Sequence, residues 1–250
     1  MRKLLFVTFI LASIIGCSSI KNTSEYTPQE HFDYAMGLFN NEDYQEASNE
    51  FQAILLQYPA STVNDDAQYY LGFTYYKKDQ YLLAAYEFSK LIRDIPASPF
   101  IPEAQYMLAE SYYQLSPPYQ LDQAYTKKAI DEYQAFIDYF PVDAKVEEAS
   151  AKIKELNGKI AEKEYKSALI YERMSYYNAA IDYYGIVAET YHDTKYAPMS
   201  LYNKIQLEMM KEMKGSALND IADFLTRYPD DTKAEELTKL QETLLAKNNN

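Results

Sequence analysis

The sequence predicts an all-α chain of repeated helix hairpins, and three observations carry that prediction. Glycine is scarce, six in 250 residues, so the tight turns that a sheet protein needs are in short supply. Alanine and tyrosine recur at helical spacing along the whole chain. Four segments of that periodicity close on a bulky apolar residue followed by proline: Tyr58-Pro59, Ile95-Pro96, Phe140-Pro141 and Tyr228-Pro229. The first two prolines lie 37 residues apart, a period that belongs to repeat architectures. Proline ends a helix because it lacks the amide that continues the hydrogen-bond ladder.

The first element is not part of that array. Arg2 and Lys3 precede an apolar run from Leu4 to Ile15, then Gly16-Cys17-Ser18-Ser19. A basic start, a short apolar core and a small residue before the cut describe a secretory signal over residues 1–16. The run is too short to span a bilayer, which takes about 20 residues. Cys17 is the only cysteine, so no intramolecular disulfide can form and the fold must hold by packing. Its place after a small residue resembles the lipobox of bacterial lipoproteins. That resemblance implies S-diacylglycerol and N-acyl chains on Cys17, and a lipidated linker over 17–27.

The repeats follow over residues 28–250. Leu71-Gly72-x-x-Tyr75, Ala84-x-x-x-Phe88 and Pro96 match the tetratricopeptide pattern, with Gln68 in place of the early tryptophan. The same frame takes Ala35, Ala47-x-x-x-Phe51 and Pro59, then Ala109-x-x-Tyr112, Ala129-x-x-x-Tyr133 and Pro141. A fourth copy has Ala168-x-x-Tyr171 and Ala180-x-x-x-Tyr184, with His192 where proline is expected. The fifth is the weakest, with Ile205, Ala217-x-x-x-Ile221 and Pro229. The expected units are about 28–61, 65–98, 102–143, 159–194 and 198–231, with a polar-faced cap over 233–247. The expected fold is therefore a tetratricopeptide-repeat superhelix of about five hairpins. The small residues let paired helices approach closely, and the large ones fill the space to the next hairpin. In the third repeat eight extra residues, Ser116 to Gln123, lengthen the turn, which loop entropy tolerates at little cost.

Charge narrows the partners. Net charge is −13, and loss of Arg2 and Lys3 takes the mature chain to −15, with 22 basic against 37 acidic residues. That balance argues against nucleic acid and against electrostatic attachment to anionic lipid. Membrane attachment is expected through the lipid anchor alone. No phosphate loop, nucleophile elbow or metal spacing is present, and His31 and His192 lie in different repeats. Neither an enzymatic role, nor a metal, nor any cofactor beyond the covalent lipid is expected.

A lipobox followed by five such repeats resembles the BamD family of β-barrel assembly lipoproteins. Leu121-Asp122-Gln123-Ala124-Tyr125 with Phe140-Pro141, and Ala161 to Tyr165 with His192-Asp193-Thr194, carry the likeness, as does the long third-repeat loop. The resemblance implies a scaffold on the periplasmic face of the outer membrane. It implies contact with a BamA-like barrel protein through the C-terminal repeats, with other assembly lipoproteins, and with unfolded outer-membrane protein C-termini through the N-terminal repeats. A basic contact residue of some relatives falls here at Tyr183, and Arg173 nearby is the candidate replacement. The offsets facing the concave groove give Phe32, Phe39, Tyr69, Phe73, Tyr76, Tyr106 and Tyr113 as candidate client-binding rings, with Glu110 to orient a polar group. The alternative function is a CpoB-like repeat adaptor of envelope or division machinery, disfavoured by Cys17 and by the absence of a leading heptad segment.

Overall fold

A computed structural model describes residue 23 and residues 25–248; Cys17 and the signal lie outside the described residues. The chain is all-helical there, with eleven helices in sequence. They are α1 (Pro28–Asn40), α2 (Tyr44–Gln57), α3 (Asn64–Lys77), α4 (Tyr81–Asp94), α5 (Ile101–Leu115), α6 (Ala124–Tyr139), α7 (Val146–Arg173), α8 (Tyr177–Thr190), α9 (Tyr196–Met210), α10 (Lys214–Arg227) and α11 (Ala234–Asn248). Each helix packs on the next in sequence. The first ten form five hairpins and α11 packs on α10, which is the tetratricopeptide-repeat arrangement.

Local chemistry starts and stops these helices. Thr27 caps α1 by accepting from the Glu30 amide at 3.3 Å, while Glu30 accepts from the Thr27 amide at 2.9 Å. Pro28 fills the first helical position, where its missing donor costs nothing. At the far end of α2, α4, α6 and α10 the residue before proline leaves the helix at φ near −130° while its N–H still closes the last turn. That backbone is what a following proline imposes. Tyr191 adopts nearly the same conformation before His192, φ −115°, so packing holds the geometry without proline there.

Inside the hairpins, the alanines of the repeat pattern are fully buried: Ala35, Ala47, Ala84, Ala109, Ala129, Ala168, Ala180 and Ala217. Phe51, Phe88, Tyr133 and Tyr184, four residues after the second-helix alanine, are buried as completely. Each ring contributes about 1.5–3 kcal/mol by leaving water. Gly72 shows how tight the fit is: a Cβ there would lie 2.9 Å from the Phe88 ring.

Two features depart from the sequence reading. The first helix of the fourth hairpin begins at Val146, not near 159, so residues 146–158 are helix rather than a link between repeats. The resulting 28-residue α7 is about 42 Å long. Its first half, through Ala149 and Leu156, completes the core of the first three hairpins. Its second half, through Ala161, Tyr165 and Ala168, belongs to a separate core with α8 and α9. The second departure lies in the turns within hairpins one, two, four and five. Each places one non-glycine residue in the left-handed region: Glu42, Asp79, Ser175 and Glu212, at φ 57–64°. There the next amide reaches back to the helix, as Asp43 N–H does to Leu38 at 2.9 Å. The third hairpin, with its longer loop, has no such residue.

Two substitutions test this packing. Gly72→Ala gains helix propensity but must displace a fully buried ring, so it is expected to destabilise by about 1–3 kcal/mol. Glu42→Gly relieves the left-handed strain and is expected to stabilise by about 1 kcal/mol. Denaturant unfolding of both variants measures the two signs; equal midpoints would contradict the assigned contact and the assigned turn.

Candidate functional site

The predicted client-binding rings lie on the first helices of the first three hairpins in two groups, one running through Phe39, Phe73, Tyr69 and Tyr76 and one gathering Tyr106 and Tyr113 around Tyr133. Phe39 lies 5.7 Å from Phe73, which lies 6.0 Å from Tyr69 and 6.5 Å from Tyr76. Phe32 packs on Phe51 and Tyr70. Tyr69 is buried and stacks on Phe100 at 4.6 Å; Tyr106 is buried against Tyr133 and Phe136. Phe32, Phe39, Phe73, Tyr76 and Tyr113 keep partly open faces. Tyr69 and Tyr106 thus form the floor beneath them. Burial and the Glu103 carboxylate push the Tyr69 hydroxyl well above its ordinary value.

Glu110 does not wait for a ligand. Its carboxylate accepts from the Tyr133 hydroxyl and from Lys152 Nζ, and the Tyr76 hydroxyl reaches it at 3.5 Å. Lys152 lies over the faces of Tyr113, Tyr106 and Tyr133, at 4.9, 5.8 and 5.8 Å. A cation over three ring faces and beside a buried carboxylate has its charge met on both sides, which offsets the cost of taking it out of water. This knot ties the first half of α7 to α5 and α6. Tyr113 also donates to Glu155 at 3.0 Å, and burial together with that bond pushes it up to about 12.

The inserted loop lies along α7. Lys159 donates to Ser116 Oγ at 2.8 Å and Lys163 to the Leu121 carbonyl at 2.6 Å. Gln123 holds the loop from inside by donating to the Pro118 and Leu121 carbonyls. Tyr119 and Gln120 then form a shared wall between two clefts. One, of 690 Å³, runs past Gly158 to Asp193–Tyr196. The other, of 440 Å³, ends at Arg173. Arg173 and the inserted loop are therefore brought together. Tyr183 is not part of that group: it stacks on Tyr171 at 5.1 Å, and its hydroxyl is raised by the bond to Tyr171. Tyr171 and Arg173 point to opposite sides of α7, two residues apart.

Sequence reasoning missed a buried polar pair that repeats with the 37-residue period. His31 meets Glu50 at 2.6 Å, Gln68 donates to Glu87 at 2.6 Å, and Gln105 donates to Glu132 at 2.8 Å. Each pair joins the two helices of one hairpin, and Gln68 stands where the repeat pattern has tryptophan. Tyr183 and Asp220 occupy the acidic partner's register in the last two hairpins. The signal was present in the spacing of 31, 68 and 105, but the residue types differ and no single-motif search joins them.

A protein-family profile described as "YfiO: Outer membrane lipoprotein" matches residues 24–218. The chain belongs to the YfiO (BamD) family of outer membrane lipoproteins. None of the curated protein sequences compared with it matches. Solved repeat structures resemble it distantly. MamA from Desulfovibrio magneticus RS-1 is 19% identical, with 68% of this chain and 78% of that one covered and a TM-score of 0.39. A tetratricopeptide repeat protein from Parabacteroides merdae is 15% identical over 88% and 74%, TM-score 0.39. A repeat protein from Cytophaga hutchinsonii is 16% identical over 87% and 75%, TM-score 0.43. None of these likenesses bears on function.

The YfiO match includes both surfaces described above and stops within α10. Beyond the rings and the loop, the fifth hairpin holds a buried charge cluster. Lys204 lies 2.7 Å from Asp220 and 3.9 Å from Glu208, with Glu189 contributing from α8. Burial and the Asp220 charge raise Glu208 to about 7 from 4.5. The folded carboxyl holds its proton more tightly than the unfolded one, so this contribution to stability is full below about pH 4.5 and is lost as pH rises through about 7. Wild type should therefore lose stability relative to Glu208→Gln between pH 5 and pH 8. Thermal melts of both proteins at the two pH values measure it; a constant difference would place the proton elsewhere.

Proposed function

We propose that this chain is a lipid-anchored scaffold of the β-barrel assembly machinery, facing the periplasm, that holds a BamA-like barrel protein and receives unfolded outer-membrane protein clients. The observation that carries this reading is the family match over residues 24–218, together with the lipobox-like Cys17 just ahead of it. The role is binding rather than catalysis. The aromatic rings on the first helices of the first three hairpins form the proposed client surface. An extended barrel strand presents side chains to one face every second residue, and half-open rings such as Phe39, Phe73 and Tyr76 suit such a pattern. The fourth and fifth hairpins, with Arg173 and the Ser116–Gln123 loop, are the proposed surface for the barrel protein. Accessory lipoproteins would join the same assembly. The loop is pinned to α7 by two lysines, so it presents a fixed shape rather than a loose tether.

No helix among the described residues is long and apolar enough to cross a membrane. The proposed anchor is lipid on Cys17, a reading supported by the lipobox-like residues around it. Several acyl chains on one residue hold firmly, at about 0.8 kcal/mol for each buried CH₂. Cys17→Ser is expected to move the protein from the outer-membrane fraction to the soluble periplasmic fraction. A variant that still sediments with outer membranes would assign the anchor to a partner protein.

The client surface has its own test. Phe73→Ala combined with Tyr76→Ala is expected to weaken binding of a barrel-protein C-terminal peptide by about 5- to 150-fold, at roughly 0.5–1.5 kcal/mol per ring. Titration by fluorescence anisotropy reads the effect, with circular dichroism checking the fold. Unchanged affinity in a folded variant would make these rings packing elements only.

A further inference from the structure

The smaller cleft beside the inserted loop has a composition unlike the rest of the molecule. Its charged lining is Lys163, Lys166 and Arg173, with no carboxylate among its lining residues, in a chain whose net charge is −13. Lys166 and Arg173 make no ion pair or hydrogen bond among the described residues. Ile170 lies between them on the helix and is 54% exposed, and Tyr119 forms the opposite wall. Two unpaired cations flanking an exposed isoleucine are unusual where acidic residues are in such excess.

Helix geometry links this cleft to the place where the loop is already held. Lys159, Lys163, Lys166, Ile170 and Arg173 fall within an arc of about 80° on α7. The first two lysines of this stripe hold Ser116 and the Leu121 carbonyl of an irregular, proline-bearing segment. The stripe therefore already holds non-helical chain along its first half, through one side-chain hydroxyl and one turn carbonyl. Its second half carries the same kind of donors, with an apolar contact between them, and lines the open cleft that Tyr119 and Gln120 wall.

We infer that the Lys166–Ile170–Arg173 face of α7, with Tyr119 of the inserted loop, docks an extended acidic segment of a partner protein that carries one bulky apolar side chain. Carboxylates of the segment meet Lys166 and Arg173, and Lys163 adds its charge while staying on the loop. The apolar side chain enters between Ile170 and Tyr119. The acidic character of the whole chain repels such a segment elsewhere, so this face is also the place where it is retained. The inference rests on the reading of this surface as a partner site, and adds the chemistry of the segment that it takes.

The test uses the mature protein and a fluorescein-labelled ten-residue peptide of alternating Glu and Pro with one central Phe. Binding is followed by anisotropy at low and high salt. Wild type is expected to bind, with affinity falling as salt rises. Lys166→Glu with Arg173→Glu is expected to weaken binding by about tenfold or more, whereas Lys90→Glu with Arg93→Glu on α4 leaves it unchanged. A peptide with Lys in place of Glu is expected not to bind. Equal loss in both reversed pairs would mean attraction by overall charge and would overturn the inference. So would absence of peptide binding, or binding of the stripe to vesicles of anionic lipid in preference to the peptide. Pull-down of the barrel protein separates the two readings. Loss of the peptide with the barrel protein retained would keep this inference and move the barrel interface elsewhere. Loss of the barrel protein with no peptide binding would do the reverse.

Discussion

The structure depends on how closely two helices can approach at one small residue in each hairpin. Where Ala35, Gly72, Ala109 or Ala168 faces the second helix, the backbones come near enough for a buried ring from that helix to seal the contact. At Gly72 even a methyl group would strike Phe88. Dispersion falls off steeply with distance, so a wider spacing would forfeit the contacts of that ring and of every ring resting on it. The grouping of the aromatic rings is a consequence. Once the small residues pull the hairpins together, the large residues at neighbouring offsets have no room except against one another. Tyr69 and Tyr106 become a floor and Phe39, Phe73 and Tyr76 become a half-open surface.

The hairpins are fastened a second time by polar pairs. His31–Glu50, Gln68–Glu87 and Gln105–Glu132 repeat in register, each supplying a donor to a carboxylate on the paired helix. A buried polar group that has its partner adds specificity, while the same group left alone would cost about 1–3 kcal/mol. The last two hairpins replace the pair at this position with other contacts. In the fourth, Tyr183 stacks on Tyr171 in the carboxylate's register; in the fifth, Asp220 binds Lys204 beside the raised Glu208. The half of the chain that repeats its packing most regularly is also the half that carries the rings. The half that departs carries the charged clefts and the pH-sensitive carboxyl.

Helix α7 joins the two halves. Its first half is locked by Lys152, held among three tyrosines and Glu110, and its second half packs with α8 and α9. The face that lies away from those cores holds the inserted loop and continues past it as an open basic stripe. A long, doubly anchored helix keeps that stripe straight, so the loop and the exposed cations share one rigid platform. Precision of this kind suits a surface that must present several groups to a partner at fixed spacing.

Much of this protein is legible in its residues alone. The all-helical class, the five hairpins and the burial of the pattern alanines follow from periodicity, since a residue spacing of four on a helix leaves few ways to hide those faces. Family membership was legible from the repeats, the loop and the residues around Cys17, and the profile match bears it out. What the tertiary structure decided are matters of which neighbour arrives first. Residues 146–158 do carry a helical spacing in Val146, Ala149, Ile153 and Leu156, but that spacing does not say which hairpins the stretch joins, and the core it meets at Ala149 and Leu156 settles it. Glu42, Asp79, Ser175 and Glu212 enter the left-handed region without glycine, because packing of the hairpin outweighs the cost of a side chain there. Glu110 was readable as a groove residue, but its partners Tyr133 and Lys152 lie 23 and 42 positions away. No local pattern encodes such a pair; only the stacking of hairpins, which brings distant turns of the chain within a few ångströms, can assign it.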